Sequence, residues 1–420
     1  MAGVKMRSAL AVRAGACFDD RPTDHRDPIM SDPETSAAGV ALPYRLRLPG
    51  PTAVPDRVLQ AASRPMLAHR GPEFLARFRA IQQRLQPILG RAGMPPFLFA
   101  STGIGAMESA VINLAGPGSR VLITTNGQWG PVFRRLAEAI GAEVDEVVSE
   151  RGAPIDLDGV RRSLRERRYD AVLSVHSESS TGALTDLQAL GEIVGESDAV
   201  LACDSVSGLG GAAMRADAWG VDVVVSASQK ALMCPPGLGI ASISEKAWAL
   251  IERDDRGPRS YFDYRRFRPL AEKGEPTYTA PLAMLNALDE ALTMIGEEGA
   301  DAALDRHARL NAALTAGLEA LGFSVFPTGA ASPTLVVLRT PQGVAAPRLI
   351  AHLYERYNMV IAGTRFEDLK DRLVRIGTMG YVTDGDILTD IHQIARALAD
   401  LGAGADEAGA MAAASARLAG

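Results

Sequence analysis

The chain has 420 residues, 47% of them hydrophobic and 22% charged, with a net charge of −6 and a pI near 5.7. That length suggests about two to four domains. The acidic balance argues against a general nucleic-acid binder, and no apolar run approaches the roughly 18 residues needed to cross a bilayer. Cys17, Cys203 and Cys234 make neither a disulfide framework nor a zinc spacing. No metal site is expected, and a reducing, cytoplasmic setting fits.

Residues 1–42 read as a disordered N-terminal tail, rich in Asp, Pro, Ser and Arg and without periodicity. Met1 and Met30 are both candidate starts. Beyond the tail, apolar strands alternate with amphipathic helices. Val121–Thr125 reads as a strand and Pro131–Ile140 as a helix opened by proline. Ala171–His176 is a strand. Thr185–Val194 is a helix, with Thr185 and Gln188 spaced as a capping box. Ala199–Cys203, Val221–Ser226 and Gly239–Ser244 are further strands. Continuous apolar strands between helices indicate an α/β fold with a parallel sheet covered on both faces.

Further on the pattern changes. Pro281–Ile295, Gly299–Leu321 and Val344–Tyr357 read as helices, Leu335–Arg339 and Leu373–Ile376 as strands, and a helix from Asp386 to Leu401 closes the unit. The expected division is a large domain over 43–290, a small α+β domain over 291–402, and a flexible Ala/Gly-rich tail over 403–420.

Ligands in open α/β sheets bind beyond the carboxyl ends of the strands. Five of the 44 basic residues are lysines. An amine can lose its proton and attack a carbonyl; a guanidinium effectively cannot. Lys230 stands in SASQKALMCPPG among small and apolar neighbours, whereas Lys5, Lys246, Lys273 and Lys370 lie in charged or polar contexts. A surface lysine at a strand end is the competing reading. Asp204 follows the apolar strand AVLAC and precedes Lys230 by about one strand–helix–strand unit. A buried carboxylate there needs a cation or several hydrogen bonds; a helix cap or an ordinary ion pair is the alternative. Pyridoxal phosphate requires both groups, a lysine for its aldehyde and an acid for its ring nitrogen. Ser101-Thr102-Gly103-Ile104-Gly105 opens the helix Ala106–Leu114 with small residues, a ready phosphate site that is weak evidence alone. Trp129 follows a strand end and can stack on an aromatic ring or simply pack. Gly208–Ala213 fits G-x-G-x-x-A nominally, but residues separate it from its strand, so a dinucleotide site is discounted.

TNGQWG, HSESSTGAL, DSVSGLGG, SASQKALMCPPGL and VRIGTMG together strongly resemble class V aminotransferases, nearest the alanine–glyoxylate and serine–pyruvate group, over about Leu48 to Leu401. The resemblance implies a type I pyridoxal-phosphate transferase fold, with a mostly parallel seven-stranded sheet in the large domain, and a homodimer with shared active sites. Lys230 matches the Schiff-base lysine and Asp204 the partner of the ring nitrogen. Trp129 matches the stacking aromatic, Ser179 the serine beside the ring and Val206 the apolar contact on its other face. Thr102, Gly103, Ile104 and Gln229 match phosphate-binding positions; the family often has histidine where Ile104 stands, so only its backbone amide carries over. Thr279 resembles the threonine that reaches the partner's phosphate, while the family tyrosine before it does not align cleanly with Tyr278. Arg375 matches the arginine that clamps the substrate carboxylate. Leu48–Pro55 resembles the glycine–proline segment at the active-site mouth.

The expected activity is transfer of an amino group from a small amino acid to glyoxylate or pyruvate. Relatives with another donor are the nearest rivals: pyridoxamine–pyruvate, ureidoglycine–glyoxylate and aminoethylphosphonate aminotransferases. A cysteine desulfurase is disfavoured, since no cysteine lies beyond residue 234. A non-catalytic cofactor-binding regulator would need a DNA-binding domain that residues 1–42 are too short to supply. The arginine runs 161–168 and 265–268 read as solvated faces.

Overall fold

A computed structural model describes residues 44–253 and 257–419. The expectations for residues 1–42, including a start at Met30, lie outside these.

Seven strands make the main sheet: β1 (Phe97–Ala100), β2 (Arg120–Thr125), β3 (Glu143–Val148), β4 (Ala171–Val175), β5 (Val200–Asp204), β6 (Val223–Ala227) and β7 (Leu238–Ile243). Their spatial order is β1-β7-β6-β5-β4-β2-β3. Only β7 runs against its neighbours; β6, β5, β4, β2 and β3 pair in parallel. The mostly parallel α/β sheet of the sequence reading is therefore present.

Strand alternation explains the layers. Leu122, Val172, Leu201, Val224 and Ile240 point into one apolar layer, shared with the helices Pro72–Leu89, Leu187–Gly195 and Leu282–Glu298. Their neighbours Val121, Ala171, Val200, Val223 and Ala241 point into another, shared with Gly103–Leu114, Gly130–Ala139 and Tyr264–Ala271. Successive side chains of a strand face opposite sides, so a sheet covered on both faces must be apolar throughout. β4, β5, β6 and β7 are buried at every position. β1 and β3 escaped the sequence reading. β1 is only four residues long, and β3 is a charged edge strand, EVDEVV, with a mostly half-exposed pattern. Charge on an edge strand blunts pairing with other chains and also masks the strand signal.

The helix after β4 begins later than its sequence suggested. Asp186, not Thr185, is the cap, accepting the Ala189 N–H at 3.0 Å. Thr185 instead donates its hydroxyl to the Val175 carbonyl at 2.6 Å. A Thr-x-x-Gln spacing cannot form a capping box once the threonine is engaged with a strand.

A second sheet holds β8 (Ser324–Val325), β9 (Leu335–Arg339), β10 (Ala362–Gly363) and β11 (Leu373–Gly377), in the order β8-β9-β11-β10 and antiparallel throughout. Helices Ala300–Ala320, Ala346–Tyr357 and Asp384–Asp400 share its core. Residue 290 falls inside the helix Leu282–Glu298, which ends at Gly299, where φ is +93°.

Residues 403–420, expected to be flexible, instead carry the helix Glu407–Leu418. Asp406 caps it by accepting the Gly409 N–H at 2.9 Å. Ala410 and Ala414, one turn apart, are fully buried in the core of the second sheet. Small side chains allow this close approach: a Cβ on Gly317 would meet the Ala410 carbonyl at 3.3 Å. The low complexity that suggested fraying is the packing surface. Ala414→Asp would bury an unpaired carboxylate there and is expected to lower the unfolding free energy by about 3 kcal/mol, measured by urea denaturation.

Candidate active site

Parallel strands bring their carboxyl ends to one edge, and the sequence-predicted residues gather there. Thr102 follows β1, Trp129 follows β2 and Ser179 follows β4. Asp204 ends β5, and Gln229 and Lys230 follow β6.

Thr102 caps the helix Gly103–Leu114; its hydroxyl accepts the Gly105 N–H at 3.2 Å. The first-turn N–H groups of Gly103 and Ile104 have no intrahelical acceptor and face outward from the helix start. An added Cβ on Gly103 would meet Val206 at 3.1 Å, so glycine lets this turn sit against the Val206 side chain. The Ile104 side chain is 47% exposed, leaving its backbone as the useful part. The Gln229 Oε1 atom is buried without a partner among the described residues. Oriented N–H groups at a helix start suit a phosphate, whose oxygens accept; the Gln229 oxygen, itself an acceptor, adds nothing to that.

Trp129 and Ser179 are joined directly, indole N–H to hydroxyl, at 2.9 Å. Asp204 is buried, and its Oδ1 accepts the Val206 N–H at 2.8 Å. Burial pushes its carboxyl up to about 7; the Val206 N–H opposes this, Glu178 adds to it and the Lys230 amine opposes it. A carboxyl poised there is ready to be drawn into full ionisation by a cationic ring nitrogen.

Lys230 is buried as well, and burial brings its amine down to about 8. Asp204 acts upward on it and Arg375 downward. Its Nζ donates to the Pro49 carbonyl. The segment around Pro49 crosses from one sheet to the other. Gly377 of β11 donates to the Arg47 carbonyl at 2.7 Å, and the Thr52 hydroxyl donates to the Lys230 carbonyl at 3.0 Å. Gly50, at φ +105°, lies so close that any Cβ would overlap the Lys230 side chain. Arg47 and Arg45 both reach Asp390, which is fully buried, at 2.7 and 2.6 Å. The glycine–proline segment read from the sequence thus does lie at the lysine.

Arg375 projects from β11. Its Nε donates to the Gly363 carbonyl at 2.6 Å and its Nη1 to the Ser179 carbonyl at 3.0 Å. Burial pulls its guanidinium down to about 10, with Arg365 acting in the same direction and Glu178 against it. No carboxylate among the described residues forms an ion pair with it.

Thr279 is exposed, and it makes no hydrogen bond to the other site residues among the described residues. Its neighbour Tyr278 stacks on Tyr261 with ring centroids 4.8 Å apart. Glu178, Ser180 and Pro49 were not singled out from sequence. For Glu178 a signal existed: an acid inside the small polar run SESST, just after a fully buried strand.

A phosphate cradle, an indole wall, a buried acid and a desolvated amine on one sheet edge suit pyridoxal phosphate. The sequence model of the aminotransferase class-V family matches residues 48–387, and the chain belongs to that family. It is a pyridoxal-phosphate-dependent transaminase with that family's fold. It is 34% identical over 378 residues to the soluble hydrogenase 42 kDa subunit of Anabaena cylindrica, covering 89% of this chain and 98% of that one. It is 32% identical over 387 residues to the serine–glyoxylate aminotransferase of Methylorubrum extorquens, covering 89% and 95%. The crystal structure of ureidoglycine–glyoxylate aminotransferase from Bacillus subtilis superposes with a TM-score of 0.86 at 27% identity, covering 91% of this chain and all of that one.

A lysine with its amine near 8 reacts faster at neutral pH than one at its ordinary 10.5. The neutral fraction of such an amine rises about tenfold per pH unit below 8 and then levels. Reconstitution of apoprotein with pyridoxal phosphate should follow that curve. Borohydride trapping and peptide mapping should place the label on Lys230; a label on Lys246, Lys273 or Lys370 would remove it from the site.

Proposed function

We propose that the enzyme moves an amino group from a small amino acid of the alanine or serine type to glyoxylate or pyruvate. The observation that carries this is Arg375: a half-buried guanidinium held by two backbone carbonyls and lacking a carboxylate partner among the described residues. A desolvated cation without a counter-ion is costly. The carboxylate of each substrate would supply that counter-ion through a bidentate pair.

In this reading the Gly103 and Ile104 N–H groups, the Thr102 side chain and Gln229 hold the cofactor phosphate. Trp129 covers one face of the ring and Val206 the other, and Ser179 lies beside it. Asp204 keeps a proton on the ring nitrogen. When bound, pyridoxal phosphate supplies an aldehyde that exchanges amines and a ring that accepts the electrons of the substrate Cα–H bond. Lys230 would hold the cofactor through its amine, and that amine would also carry the proton of the substrate Cα as a general base and acid. Its depressed value suits that task near neutral pH.

The large portion, residues 43–290, supplies the cofactor site, and the smaller, 291–402, supplies Arg375. A cytoplasmic homodimer with shared active sites is part of the proposal. The exposure of Thr279 supports it, since that residue is free to reach a second copy's phosphate. A donor such as ureidoglycine is the second reading, favoured by the likeness to the Bacillus subtilis structure. A pocket separates glyoxylate from pyruvate by one methyl group, about 1–3 kcal/mol.

Half-reactions with single amino donors, followed by cofactor absorbance, test the substrate class; alanine or serine should discharge the colour and ureidoglycine should not. Arg375→Ala should lower kcat/KM for the carboxylate-bearing donor by about 2–5 kcal/mol, while sparing the matching decarboxylated amine. Arg375→Lys should recover only part, because an ammonium lacks the fork. Equal losses for both donors would sink the clamp. Asp204→Asn should retain cofactor yet lose about 10²-fold or more in kcat. Asparagine accepts a hydrogen bond but cannot hold the ring nitrogen protonated. Near-normal kcat would make Asp204 structural.

A further inference from the structure

Glu178 takes no part in the chemistry above, yet it is only 1% exposed. Its carboxylate joins two turns. Oε2 accepts the Trp129 N–H at 3.0 Å. Oε1 accepts the Ser180 N–H at 2.9 Å and the Ser180 hydroxyl at 2.5 Å. That hydroxyl in turn accepts the Gln128 N–H at 3.0 Å. Gly127 passes so close that a Cβ there would overlap the carboxylate. The turn at 126–129 carries the indole. The turn at 179–180 carries the Ser179 hydroxyl, which accepts the indole N–H, and the Ser179 carbonyl, which accepts from Arg375.

We propose that Glu178 is a positioning residue for transamination: its carboxylate locks the stacking wall and the substrate-carboxylate clamp into one register. This rests on the site reading above. Every group converging on Glu178 is a donor, so only an acceptor with two oxygens satisfies the set. A glutamine offers one oxygen. Whichever way it turns, its NH2 group faces a backbone N–H, either of Trp129 or of Ser180. A buried donor left without an acceptor forces the turn to move or to admit water. The indole and the Ser179 carbonyl then shift together, because they are hydrogen-bonded to the same short segment.

The test uses Glu178→Gln as the holoenzyme, with Ser180→Ala beside it. Borohydride should still place the label on Lys230 in both variants, since neither residue touches the lysine. The visible circular dichroism of the bound cofactor should weaken, because its ring no longer sits against a fixed indole. The value of kcat/KM for a carboxylate-bearing donor should fall about 10–100-fold, mainly through KM. The matching decarboxylated amine should lose several-fold less. Ser180→Ala keeps the carboxylate but removes one of its donors and the Gln128 acceptor, so it should move every readout the same way by a smaller amount. Wild-type dichroism and kcat/KM in folded Glu178→Gln would overturn the proposal, as would equal losses for the two donors. Should Glu178→Gln fail to fold, wild-type readouts in Ser180→Ala overturn it alone. A wild-type enzyme not labelled at Lys230 would instead mean that the site reading itself is wrong, whatever Glu178 does.

Discussion

Desolvation at the carboxyl edge of the main sheet is the constraint on which the site depends. The same burial lowers the Lys230 amine to about 8 and raises the Asp204 carboxyl to about 7. Each change disfavours the charged form of its group, and each is moderated by the other residue's charge. Both groups therefore stand close to the switching point near neutral pH. Strands β5 and β6, buried on both faces, are what keep water from the positions where these residues emerge.

A dry edge carries a cost wherever a polar group has no partner, and the surrounding loops are organised to limit it. Glu178 gathers three donors, His176 meets the Ser205 hydroxyl at 3.0 Å, and Lys230 finds the Pro49 carbonyl. What remains incompletely matched is informative: the first-turn N–H groups of Gly103 and Ile104, and the Arg375 guanidinium. These are the groups a phosphate and a carboxylate would satisfy. Where a protein leaves buried polar capacity at a concave edge, ligand chemistry can be read from the donors and acceptors left over.

The segment from Arg45 to Thr52 links the two sheets. Its arginines are held by Asp390 on the helix Asp384–Asp400, its Arg47 carbonyl by β11, and its Thr52 by the backbone at Gln229 and Lys230. Arg375 sits on β11 two residues before Gly377, the residue bonded to that segment. A displacement of either sheet would thus be transmitted both to the lysine and to the arginine. Gly50 suits this place chiefly through its positive φ, and a Cβ there would also displace the end of the Lys230 side chain.

Local pattern alone determined the apolar strands β2, β4, β5, β6 and β7 and the chemistry-bearing residues at several of their ends. An apolar run flanked by helices and followed by Asp204 or by Gln229-Lys230 is legible one residue at a time. It could not reveal β3, whose edge position calls for charge, nor the final helix, whose alanines look like linker until Gly317 lies beside them. It also assigned the wrong cap to the helix at Leu187, because nothing local shows that Val175 takes the Thr185 hydroxyl. Only tertiary structure decided what Glu178 does and where Pro49 lies. Glu178 binds a turn 49 residues earlier in the chain, and the Pro49 carbonyl meets a lysine 181 residues later. Such pairings depend on which strands are neighbours, and strand order is set by packing of whole layers rather than by the residues that finally touch.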